Sequence, residues 1–179
     1  MTDEDPFTRL AQAAGRGDRR ALDEFIRATE RDVWRTVAFL ADPGSADDLT
    51  QETFLRAISA LPSFAGRSSA RTWLLAIARR VVVDQIRHNQ ARPRTTAADL
   101  DALLSSAHGG RFEEVIEARI LLDGLASDRR DALILTQVVG LSYAEAAEVC
   151  GCPVGTIRSR VARARDDLIT AVRRDDRAV

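Results

Sequence analysis

Leu141-Ser-Tyr-Ala-Glu-Ala-Ala-Glu-Val-Cys-Gly-Cys-Pro-Val-Gly-Thr-Ile-Arg-Ser-Arg-Val-Ala-Arg-Ala-Arg165 reads as a helix, a tight turn and a second helix carrying arginines. That layout places a second helix in the DNA major groove. Ser142 and Glu145, three residues apart, form a capping box with Ser142 as N-cap. Gly151 suits a left-handed C-cap, and Pro153 the first position of the next helix. There Val154, Ile157, Val161, Ala164 and Leu168 share one stripe, expected to face a core. Gly155, Thr156, Ser159 and Arg163 point the other way, flanked by Arg158 and Arg160. From Pro153 to Arg165 there are four arginines and no acid. A short polar face rimmed by arginine suits base edges at its centre and phosphates at its margins. A solvated basic helix is the plainer reading; cap, turn and stripe together favour DNA.

The 179 residues allow one domain or two small ones, and 45% apolar residues suffice for a packed core. The net charge of −1 gives no global pull onto DNA. Charge is organised locally. Residues 42–52 hold Asp42, Asp47, Asp48 and Glu52 with no base, and residues 67–92 hold six arginines against Asp84. An acidic helix and two basic ones imply separate surfaces for separate partners. No apolar run approaches bilayer length, and the acidic N-terminus lacks the marks of a signal peptide, so a cytoplasmic protein without membrane insertion is expected. Cys150 and Cys152 are the only cysteines. The C-x-C is too small for a zinc site, so no metal or other cofactor is expected, and Cys150 reads as a buried apolar residue ahead of a redox sensor.

Upstream, Leu22, Phe25, Ile26, Val33, Val37 and Leu40 recur at helical spacing over Ala21–Ala41. Asp42-Pro-Gly stops that helix. Ser45 is expected to cap the next, which Pro62 ends. Ser63–Ser69 reads as a loop, with a serine capping a helix over Ala70–Asn89. That helix is expected to bury Leu74, Ile77, Ala78, Val81, Val82 and Ile86, and to show Trp73, Ala76, Arg80, Asp84 and Arg87 on its other face. Residues 92–111 lose periodicity and read as a linker, with one helical turn allowed at Asp99–Ser105. Helical pattern resumes at Phe112 through Val115, Ile116, Arg119, Ile120, Leu122 and Leu125. Ser127 is then expected to cap Asp128–Val139, closed by Gly140. The fold class is all-α: two small helical bundles, 1–91 and 112–179, joined by a flexible linker, 92–111.

These residues resemble the extracytoplasmic-function class of bacterial sigma-70 family sigma factors. Asp47-Asp-Leu-Thr-Gln-Glu-Thr-Phe-Leu-Arg56 resembles region 2.2 of that family. Phe64-Ala-Gly-Arg-Ser-Ser-Ala-Arg-Thr-Trp-Leu-Leu-Ala-Ile-Ala-Arg-Arg80, on to Arg87, resembles regions 2.3 and 2.4. Phe112–Gly140 resembles region 4.1, and the helix-turn-helix resembles region 4.2. The wording of the motifs is closest to an actinobacterial sigma-C-like group.

The resemblance implies a promoter-specificity subunit of the RNA polymerase holoenzyme. Its partners would be the clamp helices of the largest core subunit, the flap of the second-largest, promoter DNA and, in many relatives, an anti-sigma factor. Asp47, Asp48, Gln51, Glu52 and Arg56 match the polymerase-docking helix; on their own they favour the plainer reading, a solvated face. Phe64, Gly66, Arg67, Ser68 and Ser69 belong to the loop matched to capture of a flipped −10 base. Trp73 matches a position at the melted edge of the duplex, though a core tryptophan fits its spacing equally well. Primary sigma factors carry a second aromatic where Leu74 stands here, and that departure implies weaker melting and strict promoter choice. Arg79, Arg80 and Arg87 would hold −10 phosphates, the last two favoured by their shared exposed face. Thr156, Arg158, Ser159, Arg160 and Arg163 match positions that read the −35 element. The linker would thread the active-site cleft.

Residues 1–110 hold no nucleophile–base pair, phosphate-cradling glycine loop or metal-ligand spacing, so no catalytic residues are expected. The competing reading is a conventional helix-turn-helix regulator with an N-terminal sensing or dimerising half, which would bind a palindrome without polymerase.

Overall fold

The computed structural model describes residues 5–91 and 122–175. Every regular element among them is helical. The chain divides into two compact units, Met1–Leu103 and Leu104–Val179. The expected linker, its allowed turn and the helical run over 112–121 lie outside the described residues. No helix among the described residues is long and apolar enough to cross a membrane.

The first unit opens with a helix that lies outside those read from the sequence, α1 at Pro6–Gly15. Gly17 turns the chain at φ 98°. The Asp18 carboxylate then accepts the amides of Arg20 and Ala21, at 2.9 and 3.1 Å, and starts α2 at Arg19–Leu40. Phe25, Val33 and Val37 of α2 are essentially without solvent contact. Each such side chain contributes about 1.5–3 kcal/mol. Helix α3 spans Ala46–Ala60 and α4 spans Ala70–Ala91. Both pack on α2 and on each other.

Buried threonines line these helices, and all but Thr50, whose hydroxyl oxygen is buried without a partner among the described residues, have a bonded hydroxyl. Thr29, Thr36 and Thr53 each donate the hydroxyl hydrogen to the carbonyl four residues back, at 2.7 Å. That back-bonding makes a buried hydroxyl tolerable. Two sequence expectations need correction. Ser45 does not cap α3: its hydroxyl donates to the Asp42 carbonyl at 3.0 Å, within a 3-10 turn at Pro43–Ser45. Ile86 is 36% exposed rather than buried, because it lies beyond the stretch of α4 that carries the buried residues Leu74 to Val82.

In the second unit, α5 spans Ser127–Leu133, α6 Tyr143–Cys150 and α7 Val154–Asp175. Ser127 is the first helical residue, not the cap; Ala126 precedes the helix with no side-chain bond. The helix does not run regularly to Val139. It widens into a π-turn at Ile134–Val138, where the Val139 amide reaches back to the Ile134 carbonyl. Gly140, at φ 80°, then redirects the chain.

The helix-turn-helix forms as its local chemistry dictates. The Ser142 hydroxyl accepts the Glu145 amide at 3.2 Å, and the Glu145 carboxylate accepts the Ser142 amide at 2.8 Å. Gly151 takes the left-handed conformation, φ 64° and ψ 40°. Pro153 sits one place earlier than expected: its carbonyl accepts from Thr156 and Ile157, which makes it the residue before the first helical turn. Ile157, Val161 and Ala164 are buried as their stripe requires, whereas Val154 is 38% exposed at the helix start. Replacing Ser142 with Ala is expected to cost about 1 kcal/mol and to lower the melting temperature by a few degrees, measurable by circular dichroism.

Candidate polymerase and DNA interfaces

Helix α3 displays an acidic edge. Asp48 and Gln51 are exposed, and Leu49, Thr53 and Phe54 on the opposite face are buried. Asp47 accepts the Trp34 indole Nε1–H at 2.8 Å, so α2 contributes to the same surface. Glu52 is bound to Arg56 at 2.7 Å, one helical turn on. Arg56 also reaches Asp84 of α4 at 2.7 Å. These hydrogen bonds, Asp84 first and then Glu52, raise the affinity of the Arg56 guanidinium for its proton. Both pairs are solvent-exposed, so each adds only about 0–1 kcal/mol to stability. Sequence reasoning missed three neighbours here: Trp34, Asp84 and Leu55, the last 63% exposed beside Arg56. No local signal marks the third, since neighbours on one helix can both be buried, as Leu74 and Leu75 are.

The loop between α3 and α4 begins with a 3-10 turn at Leu61–Ser63. Gly66 has φ 66°. Arg67 is exposed, and Ser68 and Ser69 are half-buried. Of the loop's serines it is Ser69 that caps α4, accepting the Thr72 amide at 3.1 Å. Phe64 and Trp73 come together with ring centroids 4.8 Å apart and planes at 42°. Trp73 is half-buried, between the two alternatives its spacing allowed. Along α4, Arg80 and Arg87 are exposed, and Arg79 is half-buried and partnered. Asp84 lies between the two exposed arginines, but its charge is met by Arg56.

The outward face of α7 is narrower than the sequence stripe implies. Arg160 is ion-paired with Asp128 of α5 and lies 3.7 Å from the Cys152 sulfur. Arg165 donates to Gln137 at 2.9 Å. Arg158 and Arg163 remain exposed, with no acid bound to either among the described residues. The Ser159 hydroxyl turns back onto the Thr156 carbonyl at 3.0 Å. Cys150 is half-buried rather than buried. Among the described residues no cluster of His, Cys, Asp and Glu has metal-binding geometry.

Comparison with known proteins gives both units a match. Residues 25–92 match the family model described as Sigma-70 region 2, and residues 118–168 that described as Sigma-70, region 4. A protein named probable RNA polymerase sigma-C factor, from Mycobacterium bovis, is 59% identical over 177 residues, covering 98% of this chain and 96% of that protein. The structure of CnrH in complex with the cytosolic domain of CnrY matches with a TM-score of 0.76 and 26% identity, over 96% of this chain and 99% of that one. The sigma factor RpoE from Bartonella quintana, solved with the anti-sigma factor NepR, matches with a TM-score of 0.68 and 28% identity, over 84% of this chain and 96% of that one.

Proposed function

We propose a residue-level division of promoter recognition for this chain, which belongs to the sigma-70 family, in its extracytoplasmic-function class and sigma-C-like group. It is a promoter-specificity subunit that binds core RNA polymerase and promoter DNA. The carrying observation is that two helical units match region 2 and region 4 in the order a sigma subunit needs. In this reading residues 1–91 serve the polymerase and the −10 element, 92–111 tether, and 112–179 serve the −35 element. The polymerase does the chemistry, and the protein works in the cytoplasm.

Asp48, Gln51 and Glu52, with Asp47 beside Trp34, form the docking edge for the clamp helices. Charge complementarity on such an edge sets orientation and association rate. Arg56 acts there less as a free contact than as a tie to Asp84. The loop Phe64–Ser69 takes the extruded −10 base, and Arg80 and Arg87 hold phosphates. Extrusion costs a few kcal/mol, which pocket contacts offset. Thr156, Arg158, Ser159 and Arg163 meet the −35 element, and Arg160 braces α7 through Asp128 while reaching the backbone at the rim. The second unit also meets the flap. An anti-sigma factor is a further expected partner, covering the polymerase-facing surfaces.

Run-off transcription with core polymerase on genomic DNA tests the whole reading: the protein should select discrete starts, and failure to do so overturns it. Within it, Arg163→Ala is expected to weaken −35 recognition by about 1–3 kcal/mol while leaving core binding intact. Normal transcription of every target by that variant would remove Arg163 from the interface.

A further inference from the structure

Helix α1 touches the chain between α3 and α4 at three places, ahead of the base-capturing loop, in its middle and at the residue that follows it, through residues on one side of the helix. Ahead of the loop, Gly15 is packed so closely that a Cβ there would stand 2.6 Å from the Leu61 carbonyl oxygen. In the middle, a Cβ on Gly66 would stand 2.8 Å from Gln12 Nε2, so the Gln12 amide lies over the one loop residue in a left-handed conformation. Just after the loop, the Thr8 hydroxyl accepts the Ala70 amide at 3.0 Å and donates to Asp5 Oδ2 at 3.1 Å. Thr8 is 5% exposed. Its spacing to Gln12 and Gly15, four residues and then three, keeps all three on adjacent turns of one helix face.

The chemistry at Thr8 is specific. The first amides of α4 have no partner within the helix. Ser69 satisfies that of Thr72, from the loop itself. Ala70, which is fully buried, is satisfied only from outside, by a residue 62 positions earlier. A hydroxyl that accepts from Ala70 while donating to Asp5 is fixed in both directions, so the loop's exit is tied to the start of α1.

We propose that α1 is a strut that sets the shape of the Phe64–Ser69 loop before DNA arrives, with Thr8 and Gln12 as positioning residues for capture of the −10 base. A loop already in its bound shape loses less freedom on binding, and the difference appears as affinity for the single strand. The inference rests on the reading of this loop as the base-capturing segment.

The test uses holoenzyme and the labelled non-template single strand of a promoter whose start the wild-type protein selects. Thr8→Val keeps the shape and removes the hydroxyl, leaving the Ala70 amide buried and unpaired; it is expected to weaken strand binding about tenfold. Thr8→Ser restores the hydroxyl and should stay within about twofold of wild type. Gln12→Ala, at a half-buried surface position, should weaken binding about threefold and keeps the test open should Thr8→Val not fold. Affinity for core polymerase should stay constant throughout, a result that general loss of structure would not give. Wild-type strand binding by Thr8→Val or by Gln12→Ala overturns the strut, as does an equal loss in Thr8→Ser. Ser68→Ala within the loop separates the two layers. If it weakens binding while the α1 variants do not, only the strut fails; if loop and α1 variants are all silent, base capture fails with it.

Discussion

Holoenzyme formation is expected to fall by a hundredfold or more when Asp48 and Glu52 are both replaced by arginine, an effect of about 3 kcal/mol or above. Asp48 is exposed on α3, and Glu52 lies one turn along the same edge. Reversing both turns a negative face into a positive one, and like charges facing each other across an interface cost several kcal/mol. The fold should tolerate the change. Neither residue belongs to the core, and the Glu52–Arg56 pair is an exposed one whose loss costs about 0–1 kcal/mol. Arg56 keeps its second partner, Asp84. The helical spectrum and melting curve should therefore stay close to wild type. Competition against unmodified protein for core polymerase measures the loss directly. Stoichiometric complex formation at wild-type concentrations would place docking elsewhere on the first unit. Asp47 is left out of the variant because its carboxylate is bound to Trp34, so replacing it would mix a docking effect with a structural one.

The parts of the fold that were legible in the sequence are those written in local chemistry. A capping box, a glycine at a left-handed turn and a stripe of spacings three and four depend on neighbours within one helical turn, so Ser142, Gly151 and Ile157 read correctly. The same locality explains the misreadings at Ser45 and Ser127. Each has the residue type and spacing of a cap, but the path of the chain before it decides whether its hydroxyl faces the open amides. Helix α1 went unread although its apolar residues gather on one side as sharply as those of α2; it is only ten residues long and lies between Pro6 and Gly15, residues that read as chain breaks. Ile86 and Val154 sit at the ends of well-formed stripes, where pattern continues and the core does not.

The interfaces were legible as lists and not as arrangements. Arg56 and Arg160 carry the charge expected of docking and DNA-reading residues, yet each is bound by an acid 28 or 32 positions away. Nothing local signals such a pair. The tie between Thr8 and Ala70 is of the same kind, across 62 positions. Long-range hydrogen bonds thus decide which members of a motif face a partner and which hold the frame.

The second large effect is expected at Ile157, which has no solvent exposure and lies on the buried face of α7 with Val161 and Ala164. Ile157→Ala should cost about 2–5 kcal/mol, the transfer energy of the lost atoms plus the cavity they leave. Whole domains hold only about 5–15 kcal/mol, and small ones bury a lower share of their surface, so this removes most of the second unit's margin. The first unit has its own core around Phe25, Val33 and Leu75 and should not feel the change. Two melting transitions are therefore expected in calorimetry: one near its wild-type position and one displaced strongly downward. Core binding through α3 should persist at temperatures where −35 recognition has gone. Ile157→Val, which removes one methylene, should cost only about 0.5–1.5 kcal/mol and keep promoter selection. A single transition that moves as a whole in Ile157→Ala would mean that the units share one cooperative core, and separate surfaces for polymerase and DNA could then not be altered independently.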